Sequence, residues 1–83
     1  MHYTKKQIKR LDEKSFYDYA DSGCTWRTTY QLLRGNNKQL GESFAVIQTD
    51  YFSDMVNEEI TNYPEKLFET LEEARGFFDS IGG

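Results

Sequence analysis

Covalent chemistry at neutral pH needs a nucleophile, a proton shuttle or a metal, and few side chains in this sequence can serve. His2 is the single histidine, and it stands in a terminal stretch of the kind that frays. Cys24 is the single cysteine. Its thiolate would be a nucleophile only in accessible, electropositive surroundings, whereas its place at the head of an apolar strand face predicts a buried structural thiol. No second cysteine or histidine accompanies them to build a zinc site. Two carboxylate pairs, Asp50 with Asp54 and Glu58 with Glu59, have the residue types for acid–base work. Nothing near them in sequence would shift a carboxyl pKa predictably, and acids this dense on a water-facing chain are mostly solvated. Phosphate-cradling glycine patterns, the nucleophile elbow and the calcium loop are all absent, and Gly35 is followed by Asn36 and Asn37. The expectation is a protein with no catalytic residues, no metal and no cofactor.

The elements that would position these side chains read as follows. Thr4 and Gln7 have capping-box spacing, and Tyr3 with Ile8 stands at the hydrophobic-staple positions, which predicts a helix from Lys5. At 100° per residue Ile8, Leu11, Ser15 and Tyr19 share one stripe, with Lys5, Lys6, Lys9 and Arg10 around the other side. Gly23 is expected to end that helix. From Cys24 to Arg34 the period becomes two: Cys24, Trp26, Thr28, Tyr30 and Leu32 face one way, Thr25, Arg27, Thr29, Gln31 and Leu33 the other. Residues 34–38 favour a turn, and a second β-rich run, Ser43 to Tyr51, completes an antiparallel hairpin. In residues 53–63 a helical stripe of Phe52, Val56, Ile60 and Tyr63 competes with a strand face, Val56, Glu58, Ile60 and Asn62, that is only half as apolar. Because a capping box follows, the segment is read as an irregular third strand reaching Phe68. Thr70 and Glu73 form another capping box, so a last helix starts at Leu71, buries Leu71, Ala74, Phe78 and Ile81, and stops at Gly82. Gly76 within it is expected to mark a close backbone approach. The fold class predicted is α+β: one domain, residues 1–83, with a small antiparallel sheet of two to three strands packed against an N-terminal and a C-terminal helix.

Length and composition bound the rest. An 83-residue chain builds one core and buries only about 60% of its unfolded surface. Six Phe, six Tyr and one Trp compensate, since each aromatic removes roughly 150–250 Å² from water. The single cysteine, the lack of an apolar stretch after Met1 to Lys6 and the absence of any membrane-length apolar run predict a reducing, cytoplasmic setting without membrane contact.

Net charge is −4 but unevenly spread: residues 1–38 carry eight Lys/Arg against four Asp/Glu, residues 39–83 two against ten. Two binding surfaces follow. An acidic one is formed by Glu58, Glu59, Glu65, Glu69, Glu72, Glu73 and Asp79 with Tyr51 and Tyr63, suited to a larger protein with a basic surface. A basic one, Lys5, Lys6, Lys9, Arg10 and Lys14 on the first helix, is suited to nucleic acid and ranks second because Asp12 and Glu13 interrupt it. The reading is a small acidic modulator or inhibitor that docks on a nucleic-acid-handling partner, of the kind mobile elements such as phages use against host defence nucleases, including restriction and CRISPR enzymes. That reading is an analogy of size and charge.

Overall fold

The structure is a computed structural model describing residues 2–19 and 23–82. Its elements are a 3-10 turn (Lys5–Gln7), strands β1 (Ile8–Tyr19), β2 (Thr25–Asn37), β3 (Gly41–Ser53), β4 (Glu58–Asn62) and β5 (Lys66–Phe68), and one helix, α1 (Leu71–Ser80). The five strands form one antiparallel sheet ordered β1-β2-β3-β4, with β5 beside β4 on the same edge of β3.

The expected pair of helices on a small sheet is therefore overturned. The N-terminal capping signals are used, but for a single turn: the Thr4 amide donates to Gln7 Oε1 at 3.0 Å and the Gln7 amide to the Thr4 carbonyl at 2.9 Å. From Ile8 the chain is strand. The proposed stripe had only Ile8 and Leu11 as aliphatic members, too little apolar surface to hold a short helix that is marginal by itself. Pairing along β2 offers a full ladder instead. Leu11 is the extra residue of a β-bulge between Arg10 and Asp12, and it swings onto the core. The same bulge shifts the alternation by one residue.

The hairpin is longer than its sequence signals. Asn37 pairs with Gly41, Lys38 to Leu40 form the turn, and Asn37 Oδ1 accepts from the amides of Gln39 and Leu40. Gly41 supplies the positive φ of 73° that closes it. The third strand is split: Thr49 pairs with Asn62 and Val46 with Lys66, leaving Tyr63, Pro64 and Glu65 opposite two residues of β3. Pro64 lacks a donor, which fits this break.

Helix α1 starts where expected, with Thr70 Oγ1 accepting from the Glu73 amide at 3.2 Å. It runs from the β5 edge, where Phe77 stacks on Phe68 at 5.5 Å, to the β1 edge, where Gly82 meets the Phe16 ring. Ala74 and Phe78 are buried against Leu32, Phe44 and Val46. Leu71 is not part of that core but exposed, because it starts the helix beyond the sheet's apolar centre. Gly76 also departs from expectation: a Cβ there would meet open space. No helix among the described residues is long and apolar enough to cross a membrane.

One length mismatch governs the surface. Ten residues of helix span about 15 Å, whereas the thirteen of β3 span about 43 Å. The sheet therefore outruns the helix that covers it. The radius of gyration, 15.1 Å, exceeds the roughly 12 Å of a globule of this length, and the long axis is 50 Å against a thickness of 17 Å.

Candidate docking surface at the uncovered end of the sheet

Strand parity assigns each side chain to the face under α1 or to the open face. Under the helix, β2 and β3 place Leu32 beside Val46, Tyr30 beside Gln48, Thr28 beside Asp50 and Trp26 beside Phe52. The first pair lies in the core, and the last lies past the end of α1. Extending the Trp26–Phe52 pair to its outer neighbours completes a row across four strands: Asp18 on β1, Trp26, Phe52, and Glu59 on β4. Two aromatic rings thus stand side by side with a carboxylate on each flank. Their centroids are 5.4 Å apart with a 38° tilt, and Trp26 is 48% exposed.

The next row holds Phe16, Thr28, Asp50 and Thr61. Asp50 is fixed by neutral donors: Tyr63 Oη donates to Oδ2 at 2.8 Å and Gln48 Nε2 to Oδ1 at 3.4 Å. Asp50 in turn pushes the Tyr63 phenol above its ordinary pKa, first by accepting its hydrogen bond and then by its negative charge. Trp26, Asp50, Phe52, Glu59 and Thr61 line one open cleft of about 340 Å³. The ion pairs Arg10–Glu13, Arg34–Glu42 and Arg75–Asp12 include none of Asp18, Asp50 and Glu59. Met55 and Val56, 89% and 87% exposed, crown the β3–β4 turn at the same end. That turn is held by Asp54, whose Oδ1 accepts from the amides of Val56 at 2.8 Å and Asn57 at 2.6 Å. Those two bonds hold the Asp54 carboxyl below its ordinary pKa.

The expected acidic surface is not one patch. Glu59 and Tyr63 belong to the cleft side of this end, while Glu58 and Tyr51 lie on the open face, where Arg27 sits 5.0 Å over the Tyr51 ring. Glu65 falls in the break between β4 and β5, Glu69, Glu72 and Glu73 surround the start of α1, and Asp79 lies near its end. The spread follows from the strands: Phe52 and Phe44, which mark the two ends, are eight residues apart on β3, or about 27 Å.

The expected basic face of a helix is likewise dissolved. Lys5 and Lys6 sit in the 3-10 turn, Lys9 lies on the helix side of β1 and Arg10 on the open face, paired with Glu13. Lys14 points into the structure, donating to the Phe78 carbonyl at 2.8 Å and the Ile81 carbonyl at 3.3 Å. Lys6 and Lys9 do share a shallow cleft with Gln7, Arg34 and Asn36 at the end opposite Trp26.

Of the residues considered for chemistry, Cys24 is half-buried just before β2 and in no disulfide. Asp54 is committed to its turn, Glu58 and Glu59 point to opposite faces, and His2 is exposed. Among the described residues no three His, Cys, Asp or Glu gather to hold a metal ion. Asp18, Trp26 and Phe52 are site residues that sequence reading did not select, and Asp50 entered it only beside Asp54 as a candidate for acid–base work. The signal was present: once Asn37 is placed opposite Gly41, counting back along both strands brings Trp26 to Phe52. Comparison with protein-family models, curated proteins and solved structures finds no match to this chain.

Proposed function

We propose that the protein is a non-catalytic binding module that docks through the uncovered end of its sheet onto a basic surface of a larger protein. The observation that carries this reading is the Asp18–Trp26–Phe52–Glu59 row. An exposed tryptophan stacked on phenylalanine is apolar area that water solvates poorly, and Trp is the residue type most enriched among interface hot spots. A stable sheet needs packing on at least one face, and among the described residues Trp26, Met55 and Val56 stay exposed at this end. Flanking carboxylates favour a cationic partner, both in steering and in register. A nucleic-acid-handling protein offers such a surface, because the groove that accepts phosphates also accepts carboxylates. Dispersal of the candidate acid–base residues supports the non-catalytic part.

The test is affinity capture from a cell lysate with three baits: wild type, Trp26→Ala/Phe52→Ala, and Glu69→Lys/Glu72→Lys/Glu73→Lys. A partner held by wild type and by the helix-end charge reversal, but lost with the aromatic double variant, is the expected result. Retention of every partner by the double variant would refute the docking end assigned here.

A second reading rests on Lys6, Lys9 and Arg34 lining one cleft, with Lys5 adjoining. It makes this basic end a nucleic-acid contact. Phosphate contacts lose affinity steeply with salt, so a titration of generic DNA and RNA at low and moderate ionic strength decides it. Absence of binding at low salt eliminates this second reading.

A further inference from the structure

We infer that the cleft beside Trp26 is the seat of a single arginine side chain supplied by the partner, an inference that rests on the docking reading above and names its anchor. The floor is the Trp26–Phe52 pair, with ring centroids 5.4 Å apart and a 38° tilt, of which the half-exposed Trp26 offers π surface to the cleft. A cation over such a surface is attracted by the ring quadrupoles. The walls are Asp50 and Glu59. Asp50 pairs with Thr61 and Glu59 with Phe52, which makes the two acids diagonal neighbours across β3 and β4, at about 7–8 Å.

A guanidinium meets this arrangement better than an ammonium. Its plane matches the exposed Trp26 ring while its five N–H donors fan out in that plane toward carboxylates on either side. An ammonium has three donors around one point and is more strongly hydrated, so it gives up more water to enter. Asp50 is preset for the role, because Tyr63 and Gln48 orient both of its oxygens without supplying a positive charge. The volume, about 340 Å³, accommodates one long side chain with its end still hydrated, as the open rim requires.

Trp26 is the only tryptophan, so its fluorescence reports the seat directly. The probes are N-acetyl-arginine amide, the uncharged isostere N-acetyl-citrulline amide, and N-acetyl-lysine amide, with free N-acetyl-tryptophan amide as the collision control. A saturable change with the arginine probe in the millimolar range is expected, with none from citrulline and a weaker one from lysine. Glu59→Gln, at an exposed strand position, is expected to weaken the arginine probe about threefold to tenfold, and Asp50→Asn similarly. An equal response to citrulline, an equal response to lysine, or no saturable response overturns the assignment.

Concentration-dependent sedimentation of the protein alone, abolished by Trp26→Ala, would also overturn it in favour of a second copy whose basic end fills the cleft. If the arginine probe fails while Trp26→Ala/Phe52→Ala still releases the captured partner, the docking end stands and only its arginine anchor falls.

Discussion

The Lys14 ammonium on β1 lies 2.8 Å from the Phe78 carbonyl oxygen and 4.7 Å from the centroid of the Phe78 ring. One cation therefore satisfies the last carbonyls of α1, where the helix dipole is negative, and packs on the most buried aromatic of the core. No basic residue of α1 itself serves its last turn, so the sheet provides the cap. Replacing Lys14 with Met keeps the stem but removes the charge. The expected loss is about 1–2 kcal/mol, read as a lower urea midpoint with an unchanged slope. A Lys14→Met variant as stable as wild type would show that water caps the helix equally well.

Gly76 gives the opposite expectation. It lies inside α1 with open space where a Cβ would stand, so the change to Ala meets no clash and removes the backbone entropy that glycine costs in a helix. Gly76→Ala is predicted to stabilise the fold by about 0.5–1 kcal/mol, seen as a higher thermal midpoint. A decrease would mean that some contact at this position requires glycine.

What the sequence made legible, and what it did not, divides along local and non-local lines. The start of α1 was readable because the Thr70 hydroxyl accepts from the Glu73 amide within one turn. The face assignments of β2 were readable because Trp26, Thr28, Tyr30 and Leu32 alternate without interruption. At β1 the local signals were genuine but stopped after Gln7, and the bulge at Leu11 broke the alternation that would have exposed the strand. The docking row was hidden for a different reason: its members lie on four strands, and only the register brings them together.

Gly35 and Tyr3 form a coupled pair at the far end of the open face. A Cβ on Gly35 would collide with the Tyr3 ring, while Tyr3 Oη donates to the Gly41 carbonyl at 3.2 Å and accepts from Ser43 Oγ at 3.1 Å. The ring lies directly on the strand backbone, shielding a glycine that would otherwise weaken β2. Gly35→Ala must displace the ring and should cost about 1–3 kcal/mol. In a Tyr3→Ala background the same change should cost about 1 kcal/mol less, since contacting residues are not additive. Equal costs in the two backgrounds, from a double-mutant cycle by urea unfolding, would show that the ring does not rest there.

Acid should loosen the fold through Asp12 and Asp54. Asp12 is held below its ordinary value of 3.8 chiefly by the Glu13 amide and next by Arg75, and Asp54 by the amides of Val56 and Asn57. A carboxyl with a depressed folded pKa binds its proton more readily in the unfolded chain. Its contribution is therefore complete above the unfolded value and disappears as pH falls through the folded one. The urea midpoint of wild type is expected to decline below about pH 4, and that of Asp12→Asn/Asp54→Asn to decline less steeply over the same range. Parallel acid limbs would remove these two groups from the account.

At the alkaline end the sign reverses, and the group responsible sits in the candidate site. Tyr63 donates to Asp50, which raises the phenol above 10.0 in the folded chain. A raised folded pKa means that the stabilisation is fully present below the unfolded value and is lost as pH rises through the folded one. Deprotonation would place a phenolate against the Asp50 carboxylate, with no donor left between them. Stability should thus fall above about pH 10 in wild type and fall less in Tyr63→Phe, which starts lower because Asp50 has lost its best donor. Spectroscopic titration of tyrosinate should show one late-ionising phenol that is missing from Tyr63→Phe. If the six tyrosines instead titrate without that late component in wild type, Tyr63 does not orient Asp50, and the wall of the cleft is looser than the arginine seat requires.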